Sequence, residues 1–392
     1  MSTPNAPRKP GELVEANPLR ELVVCSLEAW DDVWRRNQFF VDALLRRHPA
    51  LRVLFVEPPA DVLFDLTQCR RPVIARMKAL RADERLHALR PLKLLPRRLG
   101  SFGDRVLSHR VVAAARRLGF SRPTLWLNDV TYAPLISLTG WPTVYDVTDD
   151  WLLAPFPSRE VARLRALDEL ALARAHEVVV CSPALFASRG RVRAVTLVPN
   201  GVDTQHFRRP RPRPRDLPPR PTAVYVGTLH EARLDVELVI ELARSLRALS
   251  VVLVGPASLQ MSVRRRLTAE PNIYLLGSRP YADVPAYLQH ADVVLVPHRV
   301  TPFTESLDPI KAYECVAVGR PTVATPVAGF RGLFGAVTVV PRESFVDAVR
   351  AALVAGAASP ASSTVPAWDD RAALFEDVLA RAGSRSGPHA RR

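Results

Sequence analysis

Short apolar runs recur along the chain, separated by longer mixed stretches. ELVVC (21–25), RVLFV (52–56), TLWL (124–127), TVYD (143–146), EVVV (177–180) and VTLV (195–198) are too short for buried helices and rich in β-branched residues, so they predict strands. Trp34–Arg47 and Arg159–Ala175 carry apolar residues at helical spacing and predict amphipathic helices. Apolar strands alternating with helices predict a parallel sheet covered on both faces.

Residues 208–221, RRPRPRPRDLPPRP, break the pattern. Alternating Arg and Pro supports neither a helix nor a central strand, which leaves a stiff extended connector or a basic tract touching an anion. The alternation then resumes with strands at 223–226, 251–254, 273–276, 293–296 and 322–325, and a weaker one at 337–340. Asp235–Ala248 reads as one of the intervening helices. The expected fold class is therefore α/β: two Rossmann-like, doubly wound parallel-sheet domains facing a cleft. The expected boundaries are 1–207, the 208–221 connector, 222–367, a helix at 368–383 free to pack on either half, and a disordered tail at 384–392. Ligands of such sheets sit at the carboxyl ends of the strands.

Composition adds two facts. The formal charge is +15, and residues 70–117 hold 14 Lys and Arg against Asp83, Glu84 and Asp104, a net +11. Arg70, Arg71, Arg76, Lys78, Arg81, Arg97 and Arg98 interleave with Leu80, Leu86, Leu89, Leu92, Leu94 and Leu95. That pattern suits either an anionic membrane surface or solvated helix faces. Cys25, Cys69, Cys181 and Cys315 are scattered, without the spacing of a zinc site or a disulfide framework. MSTPNAPRKPGEL has no apolar signal core, and no run approaches the 18 apolar residues of a membrane span. The expectation is a cytoplasmic protein, with peripheral contact to the inner face of the membrane as an option.

The segment richest in chemistry is VVLVPHRVTPFTESLDPIKAYECVAVGRPTVATP (293–326). It reads as a strand, a polar loop, then a helix with Asp308 as N-cap, Pro309 at its first position and Gly319 past its end. Lys311 and Glu314 then share a face one turn apart. A lysine beside free helix N–H groups suits a diphosphate, and a deeper carboxylate suits a ribose diol. An ordinary surface helix with a Lys–Glu pair reads the same in isolation.

Four stretches in order resolve that choice by resemblance. CSPALFASRG (181–190) leading to VTLVPNGVDTQHF (195–207), YVGTLHEARLDVELVIELA (225–243), NIYLLGSRPYADVPAYLQHADVVLVPH (272–298) and the 293–326 segment resemble the GT-B glycosyltransferases of the group-1/family-4-like set. The resemblance implies a sugar transferase acting on a nucleotide-diphosphate donor, a UDP-sugar before a GDP-sugar, with a glycan or lipid-linked acceptor. It places Glu314 at the ribose, as the second glutamate of an E-x7-E motif. The first glutamate position holds Ser306, with Glu305 beside it, which departs from the family pattern. The family's diphosphate-neutralising Arg/Lys pair falls at Thr228, which departs from the arginine, and at Arg233, in the loop after Gly227. Lys311 adds charge, and the helix start at Asp308, Pro309 and Ile310 completes the phosphate site. Gly277 and Arg279 stand near the base, and His298 ends a strand facing the donor. No metal or other cofactor is required on this reading: Asp31-Asp32, Asp149-Asp150 and Asp369-Asp370 are acidic doublets but none forms a DxD.

The acceptor side matches less specifically. The loop after the first strand, SLEAWDDVWRRNQ (26–38), lacks the glycines of many relatives, so Trp30, Arg35, Arg36 and Gln38 are its candidate acceptor contacts. Trp30 and Trp34 also fit one hydrophobic helix face. YDVTDDW (145–151) follows a strand, and an inverting transferase needs a carboxylate base, for which Asp149 comes first and Asp150 next. The competing readings are a GT-B sugar-nucleotide epimerase, a basic nucleic-acid-binding protein and a non-catalytic GT-B binding module. Nucleic acid is not an expected partner, because no nucleic-acid-binding motif accompanies the charge.

Overall fold

β1 (Glu21–Cys25) is apolar beyond its first residue, and its side chains alternate between two cores. Val23 and Cys25 face one side of a sheet, and Leu22 and Val24 the other. The computed structural model describes residues 19–61, 77–93, 100–219, 221–332, 337–356 and 365–384. Arg70, Arg71, Arg76, Leu94, Leu95, Arg97, Arg98, Cys69 and the tail beyond Ser384 lie outside the described residues.

The N-terminal sheet adds β2 (Arg52–Val56), β3 (Met77–Ala79), β4 (Leu86–Leu89), β5 (Thr124–Leu127), β6 (Thr143–Val147), β7 (Glu177–Val180) and β8 (Thr196–Leu197). Its order is β8-β7-β6-β5-β1-β2-β4-β3, parallel except that β3 runs antiparallel to β4. The C-terminal sheet is parallel: β9 (Thr222–Val226), β10 (Ser250–Val254), β11 (Ile273–Gly277), β12 (Val293–Val296), β13 (Thr322–Ala324) and β14 (Thr338–Val339). Its order is β11-β10-β9-β12-β13-β14. Strand order reverses between β1 and β5 in one sheet and between β9 and β12 in the other. The loops leaving those strands part there and open a crevice.

The leucine-rich basic stretch is corrected in part. Leu86 is fully buried and Leu86–Leu89 forms β4, because alternate residues point into the core. Leu92 pairs with Ala60 in a small parallel ladder. Only Gly100–Arg117 of this region is helical among the described residues.

Three helices shape the site: α1 (Arg36–Arg47), α2 (Ile310–Val318) and α3 (Trp368–Ser384). The C-terminal α3 packs on the N-terminal sheet beside α1. Its Phe375 ring centroid lies 4.5 Å from that of Trp126 and 5.1 Å from that of Phe40, and Trp368 stacks on Phe39 at 4.5 Å. Where the chain re-enters the N-terminal half, the Val202 N–H donates to Pro366 O at 3.0 Å. The Arg/Pro connector lies on the C-terminal domain but is not extended throughout. Arg208 ends a short helix, the Arg211 N–H donates to Gln289 Oε1 at 2.9 Å, and the chain turns where the N–H of the buried Leu217 donates to Pro214 O at 3.3 Å. Among the described residues no helix is long and apolar enough to cross a membrane.

Candidate active site

The two crevices face each other and form a cleft of about 240 Å³ between the domains. Most wall residues stand in loops leaving the carboxyl ends of strands or in the first turns of helices.

On the C-terminal wall, the loop after β9 brings Gly227, Thr228 and Arg233, and the loop after β12 brings His298. The segment into α2 brings Asp308, Pro309, Ile310, Lys311 and Glu314. Lys311 Nζ donates to Tyr225 Oη at 2.9 Å and lies 4.4 Å from the centroid of that ring, close over Gly227. Gly227 is required here: its φ is +148°, and a Cβ would collide with Lys311 Nζ. The buried His298 is held neutral, because burial and the nearby Lys311 and Arg233 push its pKa well down. Glu314 makes no side-chain hydrogen bond among the described residues. Burial raises its pKa to about 7, against the pull of Lys311.

The helix start differs from expectation. Pro309, not Asp308, is the N-cap, and α2 begins at Ile310. The Asp308 carboxylate instead accepts from the Asn200 N–H at 2.6 Å and from Tyr313 Oη at 2.8 Å. Asn200 Nδ2 also donates to the Asp308 carbonyl at 2.5 Å. These bonds fix the start of α2 against the end of the N-terminal domain, so Ile310 and Lys311 present the first-turn N–H groups.

On the N-terminal wall stand Glu28, Val33, Trp34 and Arg35 after β1, Asn128 after β5, and Thr148 and Asp149 after β6. Asp149 reaches across the cleft: its Oδ1 accepts from Arg233 Nη2 at 3.1 Å. Burial raises the Asp149 pKa while Arg233 opposes the rise. Arg35 lines the cleft and donates to Asp31 at 3.2 Å and to the Val33 carbonyl at 2.8 Å. Arg279 also lines it, with its guanidinium bound to Asp216 and to Tyr287 Oη.

Five of the expected contacts are not brought to the cleft. Ser306 is buried and bolts the domains together, accepting from the Asp150 N–H at 3.2 Å while its carbonyl accepts from Ser182 Oγ at 2.6 Å. Asp150 caps the short helix at Trp151–Leu153 and pairs with the buried Arg189 at 3.1 Å. Trp30 packs edge-on to Phe55 at 5.1 Å. Gln38 ties the first turn of α1 to the preceding loop, accepting from the Arg35 N–H at 3.0 Å and donating to the Asp31 carbonyl at 2.8 Å. Gly277 ends β11, where its carbonyl accepts from the Gly255 N–H at 2.8 Å. Arg36 borders the cleft, but its guanidinium is spent on the fully buried Asp146 at 3.1 and 3.2 Å and on Asn200 Oδ1 at 3.2 Å. A buried arginine so paired holds the scaffold, with three of its five N–H donors used there.

The structure also adds residues that local patterns did not single out. Glu28, Asn37, Asn128 and Tyr225 all line the cleft. The only signal available for Glu28 and Asn128 was their place directly after β1 and β5, at the switch point.

Comparisons with known proteins agree with this geometry. The structure superposes on sucrose-phosphate synthase (tll1590) from Thermosynechococcus elongatus with a TM-score of 0.69 at 17% identity, covering 93% of this chain and 98% of the other. It superposes on Anabaena Alr3699/HepE in complex with UDP-glucose with a TM-score of 0.62 at 15% identity, covering 93% and 98%. Residues 220–355 match the family described as glycosyl transferases group 1. The chain has the GT-B fold. In sequence this GT-B chain is 25% identical over 227 residues to TuaH of Bacillus subtilis (strain 168), which bears the name of a teichuronic acid biosynthesis glycosyltransferase. That match spans 52% of the GT-B chain and 55% of TuaH, about half of each.

Proposed function

We propose that this GT-B chain is a glycosyltransferase. It moves a sugar from a nucleotide-diphosphate donor, a UDP-sugar by preference, to a glycan or lipid-linked acceptor. The observation that carries the reading is the C-terminal wall. Two cations, Lys311 and Arg233, and the N–H groups of Ile310 and Lys311 converge where a diphosphate would lie, and the unpartnered Glu314 carboxylate stands one turn deeper, suited to a vicinal diol. The group-1 family match and the UDP-glucose complex of the HepE protein support the same donor class.

In this reading the departing diphosphate's charge is carried by Arg233, Lys311 and the α2 start. Charge developing in a desolvated cleft is stabilised most by groups fixed beforehand, and the Asp308–Asn200 bonds fix this helix. Two cations and a helix start offset the charge of a diphosphate, so the reading requires no metal. The basic segment 70–117 is the candidate contact with an anionic inner membrane face. Of its described cations, Arg81 pairs with Asp42 at 2.5 Å and Arg85 with Asp83 at 2.7 Å, while Lys78 lies on an exposed strand.

Calorimetry with UDP, GDP and ADP tests the donor site, with Lys311→Ala and Glu314→Ala beside wild type. Micromolar UDP binding that weakens at least tenfold in both variants is expected. Absence of any nucleotide binding overturns the transferase reading.

A further inference from the structure

We propose that Tyr225 and His298 are positioning residues for the donor diphosphate: together they hold Lys311 Nζ over the bare backbone of Gly227 with its charge unspent. The proposal rests on the transferase reading and adds to it the groups that aim its lysine.

Three observations carry it. First, Lys311 has polar partners but no countercharge. Its Nζ donates to Tyr225 Oη at 2.9 Å and stands 3.5 Å from His298 Nε2, and among the described residues it forms no ion pair. Arg233, the other cation of this wall, is by contrast closed onto Asp149 at 3.1 Å. An ammonium has three N–H donors and no acceptor, so uncharged partners fix Lys311 in place while its charge stays available to an anion.

Second, the bond from Lys311 is given a direction. Tyr225 and His298 are 1% and 4% exposed, and Tyr225 Oη lies 3.3 Å from His298 Nε2. Nε2 faces a hydroxyl and an ammonium, and an ammonium can only donate. A proton on Nε2 would point toward that ammonium, so the nitrogen facing them is the one with the lone pair, and the tyrosine proton goes to it. The Thr228 carbonyl, also within reach of that proton, is farther at 3.5 Å. Burial, with Lys311 and Arg233 nearby, keeps the imidazole uncharged and therefore able to accept. The hydroxyl is left with its lone pairs for Lys311. The ring has a firm seat as well: the His298 N–H donates to Thr325 Oγ1 at 3.0 Å, and Thr325 Oγ1 donates back to the His298 carbonyl at 2.7 Å.

Third, the lysine is held where backbone lies bare. A Cβ on Gly227 would stand 3.2 Å from Tyr225 Oη and would collide with Lys311 Nζ. Lys311 is also the second residue of α2, whose first-turn N–H groups have no intrahelical partner. The ends of β9 and β12 and the start of α2 thus build one cradle around a single ammonium. A lysine stem is flexible, so the fixing has to come from its partners. Groups fixed before charge develops stabilise a departing diphosphate most, because nothing has to reorganise during the reaction.

The test uses the full chain and two ligands, UDP and uridine, which share the nucleoside and differ in the diphosphate. UDP affinity is measured by calorimetry and uridine affinity by competition against UDP, with circular dichroism as the control on folding. Tyr225→Phe keeps the ring and removes only the hydroxyl. UDP binding should weaken roughly 10–30-fold, the entropy of re-fixing a freed lysine side chain, while uridine binding is unchanged. Made on top of Lys311→Ala, the same substitution should cost at most about twofold more, because Tyr225 acts through the lysine. His298→Gln keeps an acceptor for the tyrosine proton and should bind UDP within about threefold of wild type, whereas His298→Leu should weaken it at least about fivefold. Unchanged UDP binding in Tyr225→Phe, uridine weakened as much as UDP, or the full loss repeated on top of Lys311→Ala overturns the positioning role. His298→Gln as weak as His298→Leu overturns the part given to His298. A wild type that binds no nucleotide instead overturns the transferase reading beneath the proposal.

Discussion

Replacing Arg36 by Met is the severest single test of how this molecule is held together. The Arg36 guanidinium and the Asp146 carboxylate are 5% and 0% exposed, joined by two bonds of 3.1 and 3.2 Å. Without Arg36, the carboxylate keeps one hydrogen bond, from Trp126 Nε1 at 3.1 Å, and no countercharge. Breaking such a buried pair from one side costs about 3–5 kcal/mol, because an uncompensated charge stays out of water. Native domains have only about 5–15 kcal/mol in total, so the variant should lose a large part of its margin. The double variant Arg36→Met/Asp146→Asn removes both charges yet leaves an acceptor for Trp126. It should regain most of the loss, and at least about 2 kcal/mol. Denaturant unfolding followed by tryptophan fluorescence measures all three proteins. A single variant within about 1 kcal/mol of wild type, or a double variant no better than the single, refutes the reasoning.

Other outcomes follow from the same structure. Gly227→Ala puts a methyl into the space of Lys311 Nζ at a backbone φ of +148°, so UDP binding should weaken at least tenfold while circular dichroism stays native. Gly201→Ala meets the Ala367 and Trp368 backbone at 2.9 Å, so thermal unfolding should come earlier, since backbone cannot move aside as a side chain can. Glu314, with its pKa raised from 4.5 to about 7, lowers stability progressively as pH rises between those values, because the folded state holds the proton more tightly than the unfolded. Glu314→Gln should therefore unfold at a higher temperature than wild type at pH 8, with the gap closing near pH 4.5. Phe375→Ala empties a fully buried site between Phe40 and Trp126 and should cost about 3–5 kcal/mol.

The parallel strands were legible because a sheet buried on both faces leaves continuous apolar runs, as in β1, β9 and β12. β3 and β4 escaped because Met77–Ala79 is exposed throughout and Leu86–Leu89 is flanked by arginines, which reads as a basic amphipathic stretch. The start of α2 was legible from Pro309 and Gly319, but the Asp308 carboxylate took partners that no local rule supplies, one of them 108 residues away. Arg36 and Ser306 likewise have hydrogen-bond partners distant in sequence. A polar residue near a cleft looks like a ligand contact until its partner is known, and Asp146 lies 110 residues from Arg36. Glu28 carried no pattern of its own, only its position after β1, and its neighbours Trp30, Arg35 and Arg36 drew attention first.

The packing of α3 on the N-terminal sheet has a consequence for biosynthesis. Phe40 and Trp126 emerge early from the ribosome, but the helix that covers them is the last described element to be made. The half synthesised second can close its own core before the half synthesised first. Until translation reaches α3, the earlier half shows an aromatic face to the surroundings, a ready target for a holding chaperone and a reason for a nascent chain halted short of Trp368 to aggregate.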